Sequence, residues 1–244
     1  MLGDDALIMS HRLQQWLARA PELEEETALA NIALDLLGQA RLLLSRAGSA
    51  DGSGRTEDEF AFGRVEREFR SVRLAEVVDA DFAGLIARLL MFSTWRLAVL
   101  DRLRLSVDPV LAAVAAQGVR EVAYHRDYAA QWAVRLGDGT DYSRERMIAG
   151  LAAVAPLVPE LFRVTDVERR LADARVAVDP SELRAGFDGV IATVLAAAGL
   201  EMPHSSGLAE VSGQAGRDGV HTEAMGYLLA ELQSVARSLP GATW

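Results

Sequence analysis

The chain has no cysteine, which removes disulfides, thiolate metal sites and thiol nucleophiles together. It also has no lysine. All 25 basic residues are arginine, and 35 acidic residues leave a formal charge of −10. A chain this acidic is a poor partner for nucleic acid, because affinity for a phosphate backbone comes mostly from clustered cations. Charge-free runs are short: the longest, Met147 to Pro159, is too brief to span a bilayer and contains two prolines. Met1 to Ala20 opens with acids and alternates polar with apolar residues, unlike a secretory signal. These gaps lead to the expectation of a cytoplasmic protein without membrane or nucleic-acid partners. Motifs of independent chemistry are missing too: there is no Gly-rich loop after a strand, no HExxH and no serine in a nucleophile setting.

What remains is helical material. Half of the 244 residues are apolar and a quarter are charged, enough for a core and a wetted exterior, and Ala, Leu, Glu and Arg dominate. Asp108-Pro109 and Asp179-Pro180 each place a capping side chain before a proline at the first helical position, with Glu182 completing a capping box after the second. Thr56 with Glu59, and Thr165 with Glu168, give two more such boxes. Periodicity and caps predict helices over 4–19, 22–47, 57–70, 80–105, 109–136, 143–162, 166–174, 180–198 and 220–238. The Gly/Ser-rich stretch 48–55 and the longer 199–219 read as loops. The expected fold is all-α, one domain over 1–244.

The faces of these helices carry the candidate functional residues. On the helix after Pro109, a stripe through Val114, Gly118, Val122, His125 and Ala129 turns His125 inward, with Glu121 one turn earlier and Tyr124 and Tyr128 beside the pair. Glu and His at helical spacing on an inward face are how metal-binding bundles are built, and a satisfied core histidine gives the same pattern. On the preceding helix Ser93 and Arg96 project inward at i and i+3, the spacing of a di-iron Glu-x-x-His pair. Neither residue suits iron: a hydroxyl is a weak ligand and a guanidinium is a permanent cation. Asn31, Asp35, Gln39 and Arg46 make a polar stripe on an otherwise apolar helix, either solvated or an inward seam. His221 begins the apolar stripe of the last helix, as a packed or capping residue, and His11 is expected outward on the first.

Four strings, ALANIALDLLGQAR at 28–41, REVAYH at 120–125, RLGDGTD at 135–141 and GVHTE at 219–223, resemble the C subunits of phenylacetyl-CoA epoxidases. The ending Leu239-Pro240-Gly241 followed by Trp244 is similar too. The resemblance runs from about residue 4 to the end and implies a ferritin-like four-helix bundle with additional flanking helices. It implies a place in a multicomponent monooxygenase of aerobic phenylacetate breakdown. There the di-iron centre belongs to a catalytic A subunit, a reductase component delivers electrons, and the C subunit is a degenerate paralogue that supports A. In the family pattern the positions of Ser93 and Arg96 can hold an Asp and a His, and here both are replaced.

The expectation is therefore a noncatalytic subunit binding no cofactor, with Asp35, Ser93, Arg96, Glu121, His125 and His221 as a degenerate polar cluster. Two alternatives are an autonomous di-iron oxidoreductase using Asp35, Glu121, His125 and His221, and a ferritin-like bundle unrelated to aromatic degradation. The inward Arg96 calls for a carboxylate partner, Glu121 first and Asp35 second, unless it snorkels to solvent along its stem.

Overall fold

The computed structural model describes residues 1–239 and 242. Pro240, Gly241 and Trp244, part of the resemblance at the end of the chain, lie outside the described residues. Among those described there are eleven α-helices and no strand, so the chain is all-α, as a ferritin-like bundle requires. The helices are α1 (Leu2–Gln14), α2 (Leu23–Ala50), α3 (Glu57–Phe62), α4 (Arg73–Glu76), α5 (Phe82–Leu103), α6 (Pro109–Gly137), α7 (Asp141–Val154), α8 (Asp166–Asp173), α9 (Arg184–Ala197), α10 (Leu208–Ser212) and α11 (Glu223–Ser238).

The chain falls into two compact units. The first joins Met1–Val78 to the segment from Gln214 onward. In it α2 lies along α1, and α11 packs on α1, α3 and α4. The second unit is the continuous stretch Asp79–Gly213, where α5 is flanked by α6, α7 and α9.

Local chemistry starts the helices where the sequence places the caps. The Asp108 carboxylate accepts from the Val110 and Leu111 amides at 3.0 and 3.1 Å, ahead of Pro109 at the first helical position. Thr56–Glu59 and Thr165–Glu168 form reciprocal capping boxes. The Asp179 carboxylate caps through the Ser181 amide at 2.8 Å. Glu182, expected to close a box with it, instead reaches Arg102 at 3.8 Å, and the first turn there is a 3-10 turn over Pro180–Leu183.

Several helices end earlier than periodicity predicts. The expected helix over 143–162 winds as α only to Val154 and then tightens into a 3-10 segment, Ala155–Phe162. Pro156 and Pro159 account for this, since each lacks an amide donor and crowds the turn before it. The expected helix over 57–70 stops at Phe62, because Arg64 folds its Nε back onto the Phe60 carbonyl at 2.6 Å and commits its guanidinium to Asp4. The expected loop over 199–219 contains the short α10 and a 3-10 turn, Gly216–Asp218.

α2 and α5 are both long and apolar enough to cross a membrane by length and composition, a property hidden when only charge-free runs are counted. α5 turns that apolarity inward: its most apolar window is 89% buried. The window of α2 is only 44% buried.

Candidate functional site

Four of the six candidate residues belong to the second unit. Ser93 is buried on α5, and its hydroxyl donates to the Leu89 carbonyl one turn back at 2.6 Å. This is the usual backbone bond of a helical serine, and it occupies the only proton the hydroxyl has to give. Arg96, one turn on, is 1% exposed, with its guanidinium carbon 5.9 Å from the Phe92 ring centroid. That burial removes the snorkelling alternative, because the guanidinium is enclosed rather than in bulk water. On α6, His125 is 1% exposed with its ring edge-on to Tyr124. Glu121 is half-buried and accepts from the Gln117 amide nitrogen at 2.7 Å. The inward faces of α5 and α6 thus present a hydroxyl bound to its own helix, a permanent cation, one histidine and a carboxylate at the margin. This set does not fit a carboxylate-bridged di-iron centre, which takes about four carboxylates and two histidines. Among the described residues, no three His, Asp or Glu side chains gather in a way that could hold a metal ion.

The other two candidates belong to the first unit. Asp35 is half-buried on α2, while its stripe divides: Asn31 is exposed and Gln39 is buried. His221 has a fully buried side chain paired with Glu76, whose carboxylate is also fully buried, at 2.7 Å from Nδ1. Nε2 faces the Phe69 carbonyl at 3.2 Å. With an acceptor at each nitrogen, the ring satisfies both by carrying two protons. Burial alone would push the His221 pKa down. The hydrogen bond and charge of Glu76 outweigh it and raise the pKa above the ordinary histidine value. Glu76 also accepts from the Thr222 amide at the start of α11.

This pair is part of a buried charge network that sequence reasoning missed. α1 is buried on nearly every side, including Asp4 and Asp5 near its start. Asp4 binds Arg64 through both oxygens and accepts from the Arg70 amide at 2.9 Å. Burial raises its pKa, but the Met1 ammonium and the Arg64 guanidinium prevail and hold it at about 2. Asp5 binds Arg217 in the same two-pronged way, at 2.9 and 2.8 Å, and accepts from the Val72 amide at 2.8 Å. Arg12 donates to the Glu76 and Ala224 carbonyls, at 2.7 Å each. His11, expected outward, is half-buried beside Glu231 of α11, and burial lowers its pKa. Each of these carboxylates spends its lone pairs on guanidinium, imidazolium and amide donors. The network ties α1 to segments far away in sequence.

A model of the phenylacetic acid catabolic protein family matches residues 1–244. The chain belongs to this family. It is similar to the C subunit of 1,2-phenylacetyl-CoA epoxidase from Escherichia coli strain K12, with 40% identity over 243 residues that cover 100% of this chain and 96% of the relative. The strings that carried the resemblance are structural devices of this family member. GVHTE supplies His221 and the Thr222 amide, both spent on Glu76. RLGDGTD is the α6–α7 turn, where the Thr140 hydroxyl accepts from the Ser143 amide at 3.2 Å. REVAYH lies on α6, and ALANIALDLLGQAR on α2.

Proposed function

We propose that this chain is the C subunit of a phenylacetyl-CoA ring-epoxidising monooxygenase of aerobic phenylacetate catabolism, a supporting partner for a separate di-iron catalytic A subunit. In this reading other subunits, including a reductase component, complete the assembly, the complex is cytoplasmic, and this chain binds no cofactor of its own. The observation that carries it is the end-to-end 40% identity to an epoxidase C subunit. The position where a metal-binding bundle would present Glu-x-x-His supports it, since Ser93 is bonded to its own helix and Arg96 is a buried cation.

Co-expression with the sibling A subunit tests the reading. The two are expected to co-purify, and phenylacetyl-CoA epoxidation is expected to require both. Elemental analysis after growth in iron-rich medium is expected to find iron in proportion to the A subunit only. Iron near two atoms per copy of this chain, or full epoxidation without it, overturns the reading.

A further inference from the structure

α2 buries one side against α1 and α3, and its other side is apolar and uncovered. Leu23, Leu34 and Leu42 are 71, 62 and 49% exposed. At about 100° per residue they share one face with Thr27, Ala30, Asn31, Gly38 and Arg41. Gly38 sits mid-helix on that face, and a Cβ placed on it would meet nothing within 4 Å. Among the described residues, none packs against it to account for a residue that weakens a helix. A glycine there does allow another helix to approach closely, because interaxial distance is set by the side chains at the crossing.

The charges along α2 are polarised. Glu22, Glu24, Glu25 and Glu26 crowd its start, and Arg41 and Arg46 lie in its second half. Arg41 keeps 66% of its side chain exposed even while bridging Glu57 at 3.1 Å. Such a helix complements itself when a copy runs the opposite way. The acidic start of each then meets the basic half of the other, and the helix dipoles oppose.

We infer that the outward face of α2 packs antiparallel against the same face of a second copy of this chain, forming a two-fold homodimer. A register that sets Arg41 level with Glu24 of the second copy also sets Leu42 level with Leu23, and Gly38 level with Thr27. Each contact occurs twice, as an isologous interface requires.

The test is the mass of the purified full chain in solution, by sedimentation and light scattering over a wide concentration range. The wild type is expected to be a dimer. Leu34→Glu is expected to weaken self-association roughly hundredfold with helical circular dichroism unchanged, since it buries an unpaired charge only in the dimer. Gly38→Leu is expected to weaken it without disturbing the fold, because the chain leaves open space there. Glu24→Arg is expected to weaken it and Glu24→Arg with Arg41→Glu to restore it, a reciprocity that helix propensity alone does not produce. A wild type that stays monomeric, a dimer indifferent to Leu34→Glu, or α2-dependent sedimentation with lipid vesicles overturns the inference. If the chain alone is monomeric and Leu34→Glu abolishes capture of the A subunit, the homodimer fails and the epoxidase reading stands. A dimer that never binds the A subunit has the opposite meaning.

Discussion

Both units have apolar cores, but the first pairs its buried charges across long stretches of sequence and the second over short ones. In the first unit the paired residues Asp4 and Arg64, Asp5 and Arg217, and Glu76 and His221 are 60, 212 and 145 positions apart. All of these side chains are nearly or fully buried. In the second unit α5 buries 17 of its 22 residues, and its neighbours α6, α7 and α9 follow within the same continuous stretch. A buried ion pair there, Arg88 with Asp79, spans nine positions. A discontinuous unit must recruit a distant segment to one particular place, and a two-pronged guanidinium–carboxylate pair fixes geometry as well as energy. A continuous helical unit assembles through neighbours, where burial suffices and direction matters less.

Cutting a single long-range pair gives the largest expected effect. Asp5→Ala leaves the buried Arg217 guanidinium without its carboxylate and should cost about 3–5 kcal/mol in urea unfolding followed by circular dichroism. Asp5→Leu combined with Arg217→Met should recover part of that loss. A cost below about 1 kcal/mol for the single change would show that the pair is not what fixes the returning segment.

The same difference decides what is legible in the sequence. Caps such as Asp108-Pro109 and Thr165–Glu168 are legible because a cap is satisfied within four residues. His125 and Arg96 read as inward because a stripe is local periodicity. Asp4 and Asp5 escape notice because two acids at a helix start also suit a solvated N-terminus, and their arginines lie 60 and 212 positions away. His221 falls on a packed face, but its partner Glu76 sits in a four-residue helix that no periodicity announces. The polar cluster rests on faces alone, and a face shows direction without showing a partner.

A mutant cycle on the second unit sharpens the comparison at its least apolar point. Arg96 is fully enclosed while Glu121 is only half-buried. If the two form a bridge, Arg96→Met should cost roughly 1–3 kcal/mol, less than the first-unit pair because water still reaches the carboxylate. The double change Arg96→Met with Glu121→Gln should then cost less than the sum of the two single changes. Additive losses would assign the Arg96 charge to other acceptors.

pH probes the buried charges of the first unit, with a smaller effect. The Asp4 carboxyl is held at about 2 against an ordinary 3.8. Its depressed pKa contributes stability that is full above about pH 4 and lost as pH falls toward 2, about 2 kcal/mol in all. His221 has the opposite sign. Its raised pKa contributes stability that is present below the ordinary histidine value and lost as pH rises through the folded one. Denaturant midpoints across pH should therefore fall on both sides for wild type. Asp4→Asn should flatten the acid side and His221→Gln the alkaline side. If neither variant changes its own side, the pairs do not titrate as their geometry requires.

The smallest expected effect has the reverse sign and belongs to the second unit. Gly189 lies on the exposed face of α9, where an added Cβ meets nothing within 4 Å and the backbone has ordinary helical torsions. Its cost is the extra freedom the unfolded chain keeps at glycine, so Gly189→Ala should stabilise by about 0.4–1 kcal/mol. Gly137, at the end of α6, is the control. A Cβ there would lie 2.6 Å from the Ala198 carbonyl oxygen and 2.9 Å from the Ala198 Cβ, so the same substitution should destabilise. A stability gain at 189 beside a loss at 137, both read from urea midpoints, would show that the second unit is limited by helix propensity where it is exposed and by close packing where its segments meet. Equal responses at the two sites would mean that α9 is not seated on the unit as its buried Phe187, Ile191 and Leu195 indicate.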